Sequence, residues 1–155
     1  MQRVEKAKVL RQVYTERGRS AQDYNSWDKV GEIEKGLFVL VGVKKGDTEK
    51  DAETLAVKLS KLRVMADPKD KMNLSVTDAG GSMLVVSQFT LHADTSGGNR
   101  PSFINVEEPD KAKKLYEFFV AKLKENGIKV ETGSFGDYMK IETVLDGPVT
   151  ILYSD

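Results

Sequence analysis

The chain contains no cysteine and only one histidine, His92, among its 155 residues. Without cysteine it has no disulfide, no thiolate metal ligand and no cysteine nucleophile, and one imidazole is too few for a zinc site that needs two or three. We therefore expect neither a metal nor a cofactor. The longest apolar run, residues 37–43, is too short to cross a bilayer, and residues 1–10 are charged rather than signal-like. These features predict a cytoplasmic protein.

An excess of either charge is also missing. The 24 Lys and Arg residues offset 24 Asp and Glu residues, so the formal net charge is zero. This balance argues against non-specific coating of nucleic acid, and any contact with nucleic acid must therefore be local. Hydrophobic residues make up 39% and charged residues 31% of the chain, as in ordinary globular proteins. Length and composition predict a single domain over residues 1–155.

Two helices are predicted from apolar residues that recur at spacings of three and four. Asp47 and Thr48 are good N-caps for the first helix. Pro109 suits the first position of the second helix, and Gly127 suits the position just after its end. The predicted apolar stripes consist of Ala52, Leu55, Ala56, Leu59 and Leu62 in the first helix and of Ala112, Leu115, Tyr116, Phe119, Val120 and Leu123 in the second.

Strands are predicted from runs of β-branched and aromatic residues between turns. In chain order these are residues 37–43, 72–77, 82–91, 138–145 and 149–153. The first is interpreted as a central strand, and a turn at residues 146–148 separates the last two. Short links between strands favour an α+β domain with a mostly antiparallel, partly barrel-like sheet and two main helices. Residues 11–29 have no clear period and are interpreted as an insertion or a long hairpin.

Familiar catalytic motifs are missing: G-x-G-x-x-G, G-x-x-x-x-G-K-[ST] and G-x-S-x-G do not occur. At the end of the predicted strand 82–91, Ser87 and Phe89 would face one side, and Gln88 and Thr90 the other. This polar end either lines a pocket or is simply solvated. His92 follows Thr90 at the spacing of a hydroxyl and its base. A solitary surface histidine is the simpler interpretation, because no third group orients the imidazole.

Three further segments allow both a functional and a structural interpretation. Residues 94–101 combine glycines, hydroxyls and one cation, which suits either an anionic or sugar-like ligand or a flexible connector. The turn at residues 146–149 is plain or special, and its X-Pro bond is able to be cis. Residues 135–139 offer an aromatic ring and a thioether, which either sandwich a base or belong to the core.

Four segments taken together resemble the D-aminoacyl-tRNA deacylase family, of the D-Tyr-tRNA deacylase type. They are residues 87–91 (SQFTL), 100–103 (RPSF), 135–139 (FGDYM) and 147–150 (GPVT). Their order and spacing match the family, and weaker matches extend over nearly the whole chain. The resemblance implies an ester hydrolase that releases a D-amino acid from tRNA, or glycine mischarged on tRNA-Ala, as a proofreading step in translation.

The resemblance also implies a catalytic strand and an adenosine site. Backbone N–H groups of this strand would stabilise the oxyanion while the substrate's own ribose 2′-hydroxyl assists hydrolysis. A nucleophilic Thr90 is the lesser alternative. No cofactor is implied. The implied catalytic residues are Ser87, Gln88, Phe89 and Thr90, and the implied adenosine-binding residues are Phe135, Gly136 and Met139.

Discrimination between D and L substrates is implied to lie in a homodimer with active sites at the subunit interface. The pair Gly147 and Pro148, joined by a cis bond, would enter the partner's site and leave no space for an L side chain. Arg3 would support this Gly-Pro loop. Two departures from the family are the length of residues 11–29 and the Leu145 that precedes Asp146, where Asn is common.

A second hypothesis, from a different class, is a non-catalytic dimeric module. Such a module would bind the acceptor end of tRNA through the same groove without cleaving the ester. Measured turnover separates the two hypotheses.

Overall fold

The computed structural model describes residues 4–18, for which only the backbone is considered, and residues 28–153. Arg3 and residues 19–27 of the predicted insertion lie outside these described residues. The elements in chain order are β1 (Val4–Gly18), β2 (Asp28–Ile33), β3 (Gly36–Val41), α1 (Glu49–Ser60), β4 (Met65–Ala66), β5 (Met72–Leu74), β6 (Ser82–Ser87), a 3₁₀ helix (Phe89–His92), α2 (Pro109–Glu125), β7 (Val130–Thr132) and β8 (Tyr138–Tyr153).

The main sheet is mixed. Its strand order is β2-β1-β3-β6-β7, and β8 also pairs with β1. β1 is antiparallel to β2, β3 and β8, whereas β3 with β6 and β6 with β7 are parallel. The expected α+β class with two helices is confirmed, but the expected mostly antiparallel sheet is not. The reason is that α1 and α2 each carry the chain back across the sheet, so the next strand runs in the same direction.

Both helices begin where capping chemistry predicts. Thr48 is the N-cap of α1, since its side chain accepts a hydrogen bond from the Asp51 N–H and its own N–H donates to Asp51 Oδ2 at 2.8 Å. The hydrogen bond that the Thr48 hydroxyl donates to Asp51 Oδ2, followed by that from the Thr48 N–H, lowers the pKa of Asp51. Pro109 is the first residue of α2, and Gly127 follows the helix end with a φ of 83°. The predicted starts of both helices and the predicted end of α2 are therefore confirmed, whereas α1 ends at Ser60, before the predicted stripe residue Leu62.

The central strands β3 and β6 are buried on both sides of the sheet. One side is covered by the helices, and its fully buried residues include Leu37, Val39 and Met83 against Leu59 and Phe119. The other side holds a smaller cluster made of Ile33, Leu84 and Val86, with Phe38, Leu40, Met139 and Ile141 packed against it. The prediction of a central strand from residue 37 onward is confirmed.

The sheet curls so that β2 lies against β7. A Cβ atom at Gly31 of β2 would lie 2.3 Å from the carbonyl oxygen of Thr132 in β7, so only glycine allows this close backbone approach. The smaller apolar cluster lies inside the curl, which is why Leu84 and Val86 are almost completely buried although no helix covers them.

The strand predictions need correction at three places in the chain. The strand predicted at residues 82–91 ends at Ser87, because after Gln88 N–H donates to Val41 O the chain turns into a 3₁₀ helix, with Leu91 N–H donating to Gln88 O. The two strands predicted at 138–145 and 149–153 are one strand, β8, because β1 pairs with both halves across an irregularity. The strand predicted at 72–77 ends at Leu74.

Candidate active site

A cavity of about 700 Å³ opens at the carboxyl ends of the parallel strands β3, β6 and β7, beside the start of α2. Most of its lining side chains are apolar. This is the edge of an open sheet at which ligands ordinarily bind. The cavity brings together the predicted residues Ser87, Gln88, Phe89, Phe135, Gly136 and Met139, which are separate in the sequence.

The turn after β6 determines which of the predicted catalytic residues reach the cavity. Ser87, Gln88 and Phe89 line it, but Thr90 does not. Since the strand ends at Ser87, the expected alternation of Ser87 and Phe89 against Gln88 and Thr90 does not exist. Thr90 is exposed, and its hydroxyl accepts a hydrogen bond from Gln88 Nε2.

His92 is not the surface histidine expected from the sequence, and it shares no strand face with Thr90. It is half-buried in the 3₁₀ helix. Its ring lies against Gly42, where a Cβ atom would be 2.8 Å from His92 Cδ2 and 3.1 Å from the carbonyl oxygen of Gln88. The absence of a side chain at Gly42 therefore lets the turn after β6 rest directly on the chain that follows β3.

The predicted adenosine-binding residues form the opposite wall of the cavity. The ring of Phe135 lies 5.8 Å, between centroids, from the ring of Tyr116 in α2. The Tyr116 hydroxyl donates to Val85 O at 2.8 Å, and burial raises the pKa of Tyr116. Met139 Sδ accepts from the N–H of Ser134 at 3.2 Å. The wall is thus fixed to α2, β6 and the loop before β8.

A second aromatic ring near Phe89 had no role assigned from the sequence. Phe103 lines the cavity and meets Phe89 edge-to-face, with 5.1 Å between ring centroids. The chain reaches Phe103 through the loop 94–101, whose ends are joined by two hydrogen bonds of 2.8 Å between the backbones of Asp94 and Ser102. The RPSF segment was the available signal, but it does not reveal which ring Phe103 contacts.

The cavity also contains a buried carboxylate that the sequence analysis missed. Glu107 is 9% exposed and accepts hydrogen bonds from Lys111 Nζ at 2.6 Å and from the Glu108 N–H at 3.0 Å. The hydrogen bond from Lys111, followed by that from Glu108, lowers the pKa of Glu107. An acid directly before a helix start is the sequence signal for such a site.

The predicted corner at Gly147 and Pro148 lies apart from the cavity. The peptide bond between these residues is cis, and both residues are exposed. Neither lines the cavity of its own chain. Nearby on β8, Val144 and Leu145 are 53% and 44% exposed. One chain therefore brings the catalytic and adenosine residues together, but it does not bring Gly147 and Pro148 to them.

Within residues 4–18 and 28–153, no helix is long and apolar enough to span a membrane. No cluster of three or more His, Cys, Asp or Glu residues suited to a metal ion occurs among residues 28–153. The domain is thus of the α+β class, and its apolar cavity at the carboxyl ends of parallel strands, with a few fixed polar groups, is the kind of site in which small organic groups ordinarily bind.

Comparison with known proteins identifies the family. A sequence model of the D-Tyr-tRNA(Tyr) deacylase family matches residues 1–154. A D-aminoacyl-tRNA deacylase of Thermotoga petrophila is 51% identical over 152 residues, which cover 98% of this chain and 93% of the relative. A D-aminoacyl-tRNA deacylase of Thermosipho melanesiensis is 57% identical over 124 residues, covering 79% and 83%.

Two solved structures share the fold of this chain. A structure titled c-Myc DNA Unwinding Element Binding Protein matches with a TM-score of 0.86 and 30% identity over 100% of this chain and 99% of that one. A structure of a probable eukaryotic D-amino acid tRNA deacylase has a TM-score of 0.76 over 99% of both chains. It is 14% identical, and so supports the fold alone.

The chain belongs to the D-Tyr-tRNA(Tyr) deacylase family. It is an enzyme of the hydrolase class. The resemblance stated from the sequence and the prediction of an enzyme are both confirmed.

Proposed function

We propose that this enzyme hydrolyses the ester bond of D-aminoacyl-tRNA in the cytoplasm and releases a D-amino acid and free tRNA. Glycine mischarged on tRNA-Ala is proposed as a further substrate. The proposal rests above all on the cavity that unites the Ser87–Phe89 turn with Phe135, Gly136 and Met139. In the proposed arrangement the ester lies against the turn, and the terminal adenine lies between the aromatic ring and the thioether.

The proposed chemistry uses the substrate as its own proton carrier. Water adds to the ester carbonyl, the bond to the ribose oxygen breaks, and the neighbouring ribose hydroxyl carries the proton. Glu108 is exposed at the cavity, and the other two carboxylates that line it are poor candidates for a general base. Glu107 has a lowered pKa because Lys111 and Glu108 donate to it, and Asp137 Oδ2 already accepts from the Ser134 hydroxyl.

The proposed oxyanion donor is a backbone N–H group. The N–H of Gln88 already donates to Val41 O at 2.8 Å. The next N–H group, that of Phe89, lies in the first turn of the 3₁₀ helix, where N–H groups have no acceptor within the helix. Because Phe89 also lines the cavity, its N–H is the proposed stabiliser of the tetrahedral oxyanion.

A homodimer is proposed to complete the site. The exposed positions of Gly147 and Pro148, outside their own cavity, suit a corner that acts on a partner's cavity. The exposed apolar side chains Val144, Leu145 and Leu152 on the same strand suit a surface that a second copy covers. In this arrangement the corner rejects an L side chain and tolerates a D side chain, and Arg3 supports the corner.

The primary experiment measures deacylation of matched D-Tyr-tRNA and L-Tyr-tRNA by the purified protein. Release of D-tyrosine with the L form spared is expected. Equal rates on the two enantiomers would reject the proposal. Tight binding of both forms without turnover would instead favour a non-catalytic module that binds tRNA acceptor ends. The neighbouring structure titled as a DNA-binding protein, at 30% identity, is the observation behind this second candidate.

The Thr90→Ala variant separates the two proposed mechanisms. Because the Thr90 hydroxyl lies outside the cavity and accepts from Gln88, we expect Thr90→Ala to keep most of the deacylation rate. A tRNA ending in 2′-deoxyadenosine is expected to react far more slowly with the unaltered enzyme. A large loss of kcat in Thr90→Ala, with the deoxy substrate unaffected, would instead assign the nucleophile to Thr90.

A heterodimer tests whether the corner acts on the partner. One subunit carries Phe89→Asp in the cavity, the other carries Gly147→Val at a glycine with a φ of 119°, and different tags allow purification of the mixed dimer. Each homodimer is expected to be inactive, because Phe89→Asp disrupts the cavity and the side chain added at Gly147 would obstruct the partner's cavity. The mixed dimer has one cavity and one corner intact in the same site, so about half of the normal activity is expected. No recovery would place corner and cavity in the same subunit.

A further inference from the structure

A neutral chain that binds an acceptor end of RNA needs local cations that its own carboxylates do not neutralise. Three lysines of α2 are already paired with carboxylates. Lys111 donates to Glu107, Lys113 lies 4.0 Å from Glu117, and Lys122 pairs with Glu53 and Glu125. Exposed lysines next to the cavity that have no carboxylate partner are therefore the better candidates for attracting phosphate.

Lys44 and Lys45 meet this requirement. Both lysines are exposed, and within residues 28–153 no carboxylate lies within ion-pair distance of either side chain. They directly follow Val43, which lines the cavity. Their two ammonium groups are therefore available at the cavity edge.

The backbone of these two lysines is held rigidly against the cavity wall. Lys45 N–H donates to Asn105 O at 2.9 Å, and Lys44 N–H donates to Asp47 Oδ2 at 2.8 Å. Lys44 also forms an antiparallel bridge with Val106, which lines the cavity. A ligand that reaches the Ser87–Phe89 turn would pass close to this edge, since the same wall carries both.

The charges around the cavity mouth are distributed unequally. Glu108 and Asp110 are exposed at the start of α2, whereas Glu107 is already engaged with Lys111. Lys44 and Lys45 are bonded through their backbones to Val106 and Asn105, so they place positive charge directly beside this acidic helix start. Phosphates of an RNA strand entering the cavity would approach the two lysines rather than the acidic residues.

We propose that Lys44 and Lys45 are a phosphate-binding edge that contacts the backbone of the tRNA acceptor end next to the terminal adenosine. This inference rests on the proposed function, because it assumes that the terminal adenosine enters the cavity. The two lysines act on binding alone and take no part in the chemistry of the ester.

The test compares the Lys44→Gln/Lys45→Gln variant with a matched control, Lys69→Gln/Lys71→Gln. The control removes the same charge from another tight turn, between β4 and β5, where both lysines are exposed and away from the cavity. Each variant is assayed on D-Tyr-tRNA at several salt concentrations and on D-tyrosyl-adenosine, which has no phosphate.

For the Lys44/Lys45 variant we expect the KM for D-Tyr-tRNA to rise about tenfold at low salt, with kcat unchanged, and the salt dependence of kcat/KM to weaken by about two units of slope. Its kcat/KM for D-tyrosyl-adenosine should stay the same. The control should match the unaltered enzyme on both substrates.

Equal effects of the two variants on D-Tyr-tRNA, or an equal loss on the phosphate-free substrate, would overturn the phosphate-binding edge. Failure of the proposed function has a different signature, since the unaltered enzyme would then hydrolyse neither substrate. In that case binding of uncharged tRNA, followed by fluorescence anisotropy, decides the inference. A salt-dependent loss of affinity confined to the Lys44/Lys45 variant supports it, and equal affinities refute it.

Discussion

The cavity and the Gly147–Pro148 corner are built in opposite ways. The cavity lies at the end of two strands that are buried on both sides, and hydrogen bonds hold its wall to β3, β6 and α2. The corner interrupts the pairing of β8 with β1, and the residues beside it, Val144 and Leu145, are exposed. The cavity is built from buried elements of one chain, whereas the corner lies on an exposed strand.

This difference separates two roles that a proofreading hydrolase must combine. Chemistry needs groups that are held in place before the substrate arrives, and the buried strand ends supply them. Rejection of a wrong substrate needs an obstacle, which a second subunit is able to supply from an exposed surface. The free energy of unfolding is a common measure of how firmly each region is held in the fold.

The largest effect is expected for Phe119→Ala, because Phe119 of α2 lies in the main hydrophobic core between the helices and the sheet. Phe119 is fully buried, so the variant should lower the free energy of unfolding by about 3–5 kcal/mol. Urea denaturation measures this loss. Phe118→Ala is the control, because its half-buried ring lies near Lys122 at the surface and should cost much less. Equal losses of unfolding free energy in the two variants would mean that Phe119 is no more tightly packed than Phe118.

Gly42→Ala is expected to damage the cavity directly. The new Cβ atom would lie 2.8 Å from His92 Cδ2 and 3.1 Å from Gln88 O, so the turn that carries Phe89 must shift. We expect a loss of about 1–3 kcal/mol in unfolding free energy from overpacking and a fall in kcat of about 100-fold from a misplaced donor. Gly97→Ala is the control, since its Cβ meets no atom within 4 Å. An unchanged kcat in Gly42→Ala would show that packing at Gly42 does not position the catalytic turn.

A smaller effect on subunit stability is expected for Val144→Ser/Leu145→Ser beside the corner. Both side chains are about half exposed in the single chain, so each chain should lose little stability while the dimer weakens. Sedimentation velocity over a dilution series measures the subunit affinity, and deacylation assays at the same concentrations should lose activity in parallel. Val57→Ser, at a 38% exposed position on α1, should leave both unchanged. If the subunit affinity is unaltered, Val144 and Leu145 do not belong to the dimer interface.

The smallest effect is expected for Glu107→Gln, and it should depend on pH. Hydrogen bonds from Lys111 and Glu108 lower the pKa of Glu107 below its ordinary value of 4.5. The stabilisation from the carboxylate is therefore fully present above about pH 4.5 and is lost as the pH falls through the lowered pKa of the folded state.

Denaturation at several pH values checks this expectation. The difference in stability between the unaltered enzyme and Glu107→Gln should be largest near neutral pH and should shrink below pH 4.5. Glu117→Gln, which removes a pair separated by 4.0 Å between exposed side chains, should cause little change at any pH. A constant difference for Glu107→Gln across this range would show that the carboxylate charge contributes nothing.

The sequence predicted the helices better than the sheet. Helix ends depend on neighbouring residues such as the Thr48 cap and the Pro109 start, and these signals lie within a few positions of each other. The parallel pairing of β3 with β6 depends on residues that are more than forty positions apart. Strand patterns in the sequence contain no information about which distant strand is the neighbour, so the mixed sheet was not foreseen.

The candidate site divides in the same way. The resemblance picked out Ser87, Phe89, Phe135 and Met139, and the cavity contains all four. The alternating strand pattern gave the wrong orientation for Thr90 and His92, because the chain turns after Ser87. The last strand hydrogen bond, to Val41 O, and the packing of His92 against Gly42 accompany this turn. The contact of Phe103 with Phe89 likewise arises only when the loop 94–101 folds back.

The pairing of β1 with β8 has a consequence for how the protein is made. Val4 in β1 pairs with Tyr153 in β8, so β1 leaves the ribosome long before this pairing partner. At ordinary rates of translation the delay lasts on the order of ten seconds, during which one edge of β1 remains open to other nascent chains. The protein thus carries an unpaired strand edge through much of its own synthesis, until β8 has emerged.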